Sequence, residues 1–246
     1  MQWILEAIEN VLWLYGPAGA GKSAIAQTIA EKCAQLNLLV ASFFFSRASP
    51  SRNNEKYLIA SIAYQLAISI PITRSYIESA IQTDPAVFHR SLDTQIKTLI
   101  IQPLERGYAI VSPADVKQWP RLIIIDGLDE CHDSLIQRSI IHVLSAALVR
   151  ITVPMILLVA SRPEPHIRHA FNALDKSHAS RHIVLDDSYK PDADIKTFFL
   201  TRFHDIKQNH QFSASIPKYW PSKEIIDRLV RKSWAIHLCF NSDEVS

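Results

Sequence analysis

Glycine is scarce in this chain and is concentrated at one place. Only five of the 246 residues are glycine. Three of them fall within the segment Gly16-Pro17-Ala18-Gly19-Ala20-Gly21-Lys22-Ser23. Glycine is the residue that reaches positive φ angles and lets a backbone approach a ligand closely. A function is therefore to be sought first at this segment.

The segment matches the pattern G-x-x-x-x-G-K-[ST] in full, and its surroundings suit it. The apolar run 11–15 before it predicts a strand buried on both faces, and 23–33 after it predicts an amphipathic helix. A loop in this context cradles phosphate with successive backbone N–H groups and with the positive end of the helix. We expect Lys22 to bridge the β- and γ-phosphates of a nucleotide and the Ser23 hydroxyl to bind Mg²⁺.

Strands and helices alternate along the rest of the chain. Further strands are predicted at 38–45, 122–125, 155–160 and 182–185, and further helices at 55–70, 72–81, 92–104, 134–150, after a cap at Asp192, and at 222–232. This alternation predicts an α/β fold, a P-loop three-layer sandwich with a mainly parallel five-stranded sheet and helices on both faces. We place a P-loop domain at residues 1–188 and the start of a helical extension at 189–246.

Acidic residues follow the third predicted strand. The apolar run 122–125 continues into Asp126-Gly127-Leu128-Asp129-Glu130-Cys131. Ligands of open α/β sheets bind at the carboxyl ends of the strands. Asp126 is therefore expected to hold Mg²⁺ through its water shell, and either Asp129 or Glu130 to orient the attacking water. The choice between these two acids stays open.

A cation follows the fourth predicted strand. Arg162 stands at the same edge of the sheet, where a guanidinium can bind γ-phosphate oxygens with two hydrogen bonds.

Two other signals have plainer readings. We interpret the loop between Arg47 and Arg52 as solvated rather than phosphate-binding, and His166 and His169 as surface histidines because no third metal ligand is nearby.

Composition excludes several classes of protein. The 26 basic and 24 acidic side chains give a net charge of +2, so no general basic surface for nucleic acid is indicated. The longest apolar stretch, near Met155, contains Pro154 and is too short to cross a bilayer. The three cysteines are far apart in the sequence, which favours a reducing compartment and a cytoplasmic location over a disulfide scaffold.

Taken together, G-P-A-G-A-G-K-S, I-I-I-D-G-L-D-E-C and V-A-S-R-P-E resemble the NACHT-type domain of the signal-transduction (STAND) P-loop ATPases. The version found in fungal NLR-like proteins is similar, and so is the nephrocystin 3-like N-terminal domain. The resemblance covers roughly residues 8–234. It implies a domain that binds ATP or ADP and switches between a closed monomer and an open, self-associating form, with slow Mg²⁺-dependent hydrolysis.

The resemblance also implies roles for individual residues. The Walker A residues Lys22 and Ser23 bind phosphate and Mg²⁺, and Asp126 supports the metal. Asp129 and Glu130 are the acidic pair for hydrolysis, and Arg162 senses the γ-phosphate. The expected partners are nucleotide and, through flanking effector and helical repeat domains, further copies or other signalling proteins, with no nucleic acid or membrane.

The chain departs from that family plan at both ends. Met1 falls inside the family's first helix, and the segment 234–240 replaces a Gly-containing apolar stretch. We therefore expect a truncated chain with weakened nucleotide affinity, because less of the ligand is buried.

Three alternatives remain beside a hydrolysing switch. The first is a nucleotide-bound oligomerisation scaffold without turnover, the second a small-molecule phosphotransferase, and the third an inert truncated fragment. GTP is disfavoured because the sequence has no N-K-x-D or T-K-x-D segment.

Overall fold

The computed structural model describes residues 9–175, 180–185, 191–209, 216–217 and 219–231. The chain divides into two compact units, residues 1–16 with 21–184 and residues 17–20 with 185–246. Four subjects of the sequence analysis lie outside the described residues: the helix containing Met1, the segment 234–240, Cys239 and the domain boundary after residue 188. The division at residue 188 stays a prediction.

A five-stranded parallel sheet forms the centre of the first unit. Its strands are β1 (Val11–Tyr15), β2 (Leu39–Phe44), β3 (Leu122–Asp126), β4 (Ile156–Ser161) and β5 (Ser180–Val184). Their order is β2-β3-β4-β1-β5, and every neighbouring pair is parallel. The predicted α/β fold is confirmed. Strands β3 and β4 are buried along their whole length, as expected of apolar strands covered on both faces.

Helices connect the strands. Those of the first unit are α1 (Lys22–Gln35), α2 (Leu58–Ser69), α3 (Arg74–Thr83), α4 (Leu92–Ile96), α5 (Gln102–Tyr108), α6 (Pro113–Val116), α7 (Ser134–Arg150) and α8 (Pro165–Asp175). Both ends of α7 lie where the sequence predicts them. Its start is fixed by Asp133, whose carboxylate accepts hydrogen bonds from the N–H groups of Leu135 and Ile136.

The structure departs from the predicted helices in four places, one of which is the short helix α6, which is not predicted. The helix predicted over 92–104 contains a π-helical turn at Lys97–Ile101, directly before Pro103, which has no N–H to give to the preceding turn. Helix α8 is not predicted, although its apolar residues Ile167 and Phe171 are fully buried. Asp192 lies inside a helix that begins one residue earlier, so it does not occupy the predicted cap position.

An aromatic column joins β1 to α8. The buried Trp13 ring stacks with Tyr15 at a centroid distance of 4.2 Å and with Phe171 at 4.5 Å. The Arg168 guanidinium lies 5.9 Å from the centre of the Tyr15 ring. The Trp13 indole N–H donates to the Ser161 hydroxyl at 2.9 Å, which satisfies its polar group in the core. The column therefore ties the strand that leads into Gly16 to both β4 and α8.

The edge strand β2 is covered by a side chain. Gln65 of α2 accepts a hydrogen bond from the Ser42 N–H at 3.0 Å and donates to the Ser42 carbonyl at 2.9 Å. The amide thus takes the place of a neighbouring strand at that residue. An unpaired edge is a template for association with other chains, so Gln65 protects this side of the sheet.

The second unit contains α9 (Pro191–Asn209) and a helix over residues 223–231, named α10. Lys196 of α9 forms an ion pair with Asp227 of α10 at 2.8 Å. Phe203 lies edge to face with Trp220, their ring centroids 5.0 Å apart. That these helices begin a helical extension stays a prediction.

Within the described parts of the chain, no single helix is long and apolar enough to cross a membrane. One sharply bent pair of helical segments, 55–69 with 71–83, meets the length and composition criteria when the two are taken together, and nothing else supports a membrane span there.

Candidate functional site

The parallel sheet brings four chain segments to one edge. All five strands point the same way, so their carboxyl ends lie together. Strand β4 lies between β1 and β3, with Ser161 beside Tyr15 and Ala160 beside Asp126. Gly16 after β1, the acids after β3 and the arginine after β4 therefore meet at this edge. The segment after β2 joins them.

Lys22 lies at the start of α1 with its ammonium directed back toward Gly16. Its Nζ donates to the Gly16 carbonyl at 2.8 Å, and the residue is buried. Burial lowers the pKa of the Lys22 ammonium below its ordinary value, although the nearby carboxylates oppose the shift. A buried cation in this position is suited to a ligand with negative charge.

Two glycines of the loop have positive φ angles that other residues rarely adopt. Gly19 has φ 72° and Gly21 has φ 84°, and Gly21 is the N-cap residue directly before α1. No described side chain caps this helix start, and its first turn carries no acid. The positive end of the helix is therefore not compensated by a carboxylate of its own first turn.

Asp126 ends β3 and is 4% exposed. Burial raises the pKa of its carboxyl group, while a hydrogen bond from Ser23 and the charge of Lys22 oppose that shift. Its Oδ1 atom is buried and has no hydrogen-bond partner among the described residues. An unsatisfied buried carboxylate oxygen is costly, and a cation bound there would remove the cost. The pair Asp126 and Ser23 supplies the oxygen ligands that Mg²⁺ prefers, so these residues fit that metal.

The other acids follow a sharp turn. Gly127 has φ 68°, and a Cβ atom there would lie 3.3 Å from the carbonyl oxygen of Phe45. The turn leads into a short 3₁₀ helix, Leu128–Glu130. We refer to residues 126–131 as the acidic loop.

Asp129 and Arg162 are paired with each other. The Asp129 Oδ1 accepts from the Arg162 backbone N–H at 2.9 Å, and its Oδ2 lies 3.4 Å from the Arg162 Nε. Asp129 is buried, whereas the Arg162 side chain is 27% exposed. Both residues were predicted at the site, but no sequence signal pairs them.

Glu130 is held differently, by the segment after β2. Its Oε2 accepts from the Arg47 backbone N–H at 3.0 Å. The Arg47 side chain, 56% exposed, donates to the Asp129 carbonyl at 3.2 Å, and its Nη2 lies 3.9 Å from the Asp129 Oδ2. Arg47, which lies in the loop predicted to be solvated, is thus exposed but also contacts the acidic loop.

Two residues that sequence reasoning missed lie behind the acidic loop. The buried Gln137 of α7 donates to the carbonyls of Cys131 and Asp129. Its Oε1 atom is bonded to Nε2 of His166, which is half-buried and so is not the surface histidine that was predicted. A glutamine on the face of α7 that otherwise carries buried apolar residues is a signal that could have pointed to this contact.

Comparison with known families is informative for most of the chain. Residues 1–162 match the family described as nephrocystin 3, N-terminal, which is about two-thirds of the 246 residues. The chain belongs to the nephrocystin 3 N-terminal family. The matched segment ends at Arg162, so every predicted site residue of this family member falls inside it. No curated protein matches the chain.

Proposed function

We propose that this nephrocystin 3 N-terminal domain is an ATP/ADP-binding signalling switch with slow Mg²⁺-dependent ATP hydrolysis. The observation that carries the proposal is the orphaned, buried Oδ1 atom of Asp126 beside Ser23 and Lys22. A carboxylate oxygen with no hydrogen-bond partner among the described residues, a hydroxyl and a buried ammonium form a site suited to a cation and an anion. Mg²⁺ with nucleotide phosphate supplies both.

Nucleotide and Mg²⁺ would be bound by residues at the start of α1 and at the end of β3. Lys22 would neutralise phosphate oxygens, and the first turn of α1 would bind them through backbone N–H groups. Ser23 and Asp126 would hold Mg²⁺, Asp126 through water. When bound, the metal offsets negative charge that develops on the phosphates.

The two acids that the sequence leaves open have different surroundings, which supports different roles. Both carboxylate oxygens of Asp129 face Arg162, so Asp129 is suited to position that arginine. Only Oε2 of Glu130 has a hydrogen-bond partner among the described residues, and that partner is a neutral backbone N–H. We therefore assign water orientation to Glu130.

A switch requires a difference between the ATP and ADP states. Arg47 and Arg162 both lie within 4 Å of the Asp129 carboxylate. A γ-phosphate at the same edge would compete with Asp129 for these cations, and ADP lacks that group. The site thus offers ATP an interaction that ADP cannot make.

The wider proposal follows the family resemblance. We infer a NACHT-type, STAND-class domain of the NLR-like kind found in fungi, which acts in the cytoplasm in immunity-like signal transduction. It would associate with further copies or other signalling proteins through flanking domains. A scaffold that keeps ADP without turnover is the alternative, and retained ADP with no phosphate release would favour it.

Thermal unfolding with nucleotide tests the proposal. Ligand at about 100 times its Kd stabilises a protein by about 2.7 kcal/mol. For a chain of this size each kcal/mol corresponds to a rise in melting temperature of about 2–4 °C. We expect Mg²⁺-ATP and Mg²⁺-ADP to raise the melting temperature of the parent but not of Lys22→Ala. Lys32→Ala, an exposed lysine of the same helix, is the matched control and should respond like the parent.

Two results would overturn the proposal. One is a folded parent whose melting temperature neither nucleotide changes. The other is an equal response of the parent and Lys22→Ala. If nucleotide binds, phosphate release measured under single-turnover conditions separates the hydrolysing switch from the scaffold.

A further inference from the structure

A buried amide links two segments of the candidate site. Gln137 is 5% exposed, and its Nε2 donates to the carbonyl oxygens of Cys131 at 2.6 Å and of Asp129 at 3.4 Å. Both carbonyls belong to the acidic loop. Gln137 lies in the first turns of α7, whose start is fixed independently by Asp133. The amide therefore holds the loop against a well-anchored helix.

The other end of the amide contacts α8. Because both carbonyls can only accept hydrogen bonds, the NH₂ group of Gln137 must face them, and its Oε1 must face His166. An amide oxygen also only accepts, so Nε2 of His166 carries the proton. His166 is the second residue of α8 and lies four residues after Arg162. The chain of hydrogen bonds thus runs from the acidic loop through Gln137 to the segment that carries Arg162.

We propose that Gln137 and His166 form a positioning pair, which fixes Asp129 and Arg162 relative to each other and thereby lets the site distinguish the terminal phosphate of ATP from its absence in ADP. The inference rests on the proposed function and assigns part of it to residues that do not contact nucleotide.

The reason lies in what happens to the other links. The Asp129 carboxylate also joins the two segments, through a hydrogen bond from the Arg162 backbone N–H and an ion pair with the Arg162 side chain. A γ-phosphate that binds Arg162 competes with those contacts. The Gln137–His166 bond uses neither the Arg162 guanidinium nor the Asp129 carboxylate, so it persists while the ion pair rearranges. Without it, Arg162 and the acidic loop lose their common support at the moment when ATP binds.

Burial alone does not explain the pair. A buried amide costs free energy unless its groups are satisfied, whereas two apolar residues of similar shape would fill the space at little cost. The polar pair supplies direction, because each hydrogen bond fixes one segment against another. The expected defect of its loss is therefore in phosphate discrimination and not in folding.

Calorimetric titration of the full chain tests this with Mg²⁺-ADP and with a Mg²⁺-bound ATP analogue whose β–γ bridge is not hydrolysed. We expect His166→Leu and Gln137→Leu to raise the Kd of the triphosphate by about tenfold, which corresponds to the loss of one buried hydrogen bond. The Kd of ADP should rise by less than about twofold. His166→Gln keeps an N–H donor near the Nε2 position and should restore most of the triphosphate affinity. His169→Leu removes an exposed histidine of the same helix and should match the parent.

Three results would each overturn the positioning role. The variants bind both nucleotides equally more weakly, or they bind neither more weakly than the parent, or His166→Gln fails to restore triphosphate binding. If Gln137→Leu does not fold, the parent, His166→Leu and His166→Gln still test the proposal, since the His166 side chain is only half-buried. If the folded parent binds neither nucleotide, the proposed function itself fails, and the inference fails with it. If the parent binds both nucleotides and the variants discriminate as it does, only the inference fails.

Discussion

Asp126→Asn is expected to stabilise the protein without ligand and to abolish its response to Mg²⁺-nucleotide. The parent carboxylate is 4% exposed, and its Oδ1 lacks a partner among the described residues. Leaving such a group unsatisfied costs about 1–3 kcal/mol. The amide still lacks a partner at that position but carries no charge, so we expect a gain of about 1 kcal/mol, or about 2–4 °C in melting temperature.

The sign of the pH dependence follows from the raised pKa of Asp126. The unfolded chain ionises this group near its ordinary pKa, but the folded protein resists ionisation until higher pH. As pH rises from the ordinary range through the raised pKa, the free energy of unfolding of the parent therefore falls. The asparagine variant lacks this contribution, so its advantage over the parent should grow with pH and then level off.

Urea unfolding of both proteins between about pH 4.5 and 8, with metal chelated, measures this difference. Asp93→Asn, which alters an exposed aspartate, is the control and should stay within about 0.5 kcal/mol of the parent. A variant less stable than the parent at pH 7.5 would refute the reasoning, as would an advantage that does not change with pH. A normal thermal response of the variant to Mg²⁺-ATP would remove Asp126 from the metal site.

Three further outcomes are expected. Glu130→Gln should bind nucleotide within about twofold of the parent but lower kcat by about 100-fold or more in a phosphate-release assay, and an unchanged kcat would reject its role with water. Trp13→Ala should lower the free energy of unfolding, measured in urea, by about 3–5 kcal/mol. The control Tyr64→Ala, at an exposed residue, should lower it by about 0.5 kcal/mol or less, and similar losses in both would mean that the aromatic column contributes little. Gln65→Ala should increase light scattering on warming while the exposed Gln82→Ala does not, and equal scattering would argue against edge protection by Gln65.

Much of the fold can be predicted because its signals are local. The central strands are continuous apolar runs, which is what burial on both faces requires, and α7 has an acid at its cap position directly before an apolar pattern. Helix α8 is not predicted, although Ile167, Ala170, Phe171 and Leu174 follow the spacing of one helix face and pack on the core, so a local signal for it is present. The π-helical turn at Lys97–Ile101 precedes Pro103, and the apolar spacing that predicts the helix over 92–104 carries no signal for this change in hydrogen bonding.

The candidate site divides in the same way. Lys22, Asp126 and Arg162 follow predicted strands, and the parallel arrangement brings the ends of those strands together. The bond between Arg162 and Asp129 joins residues 33 positions apart, and the bond between His166 and Gln137 joins residues 29 apart. Such contacts depend on side-chain directions set by tertiary packing, so the sequence places the residues at one edge without pairing them.

Helix α8 serves as a common reference for both sides of the candidate site. Through Arg168 and Phe171 it grips the aromatic residues of β1, a few positions before the phosphate loop, and it starts three residues after Arg162. An α-helix has a fixed rise of about 1.5 Å per residue and little freedom to stretch. The position of Arg162 relative to the end of β1 is therefore constrained by one stiff element. One inserted residue between Arg168 and Phe171 would rotate one contact by about 100° relative to the other and spoil that alignment.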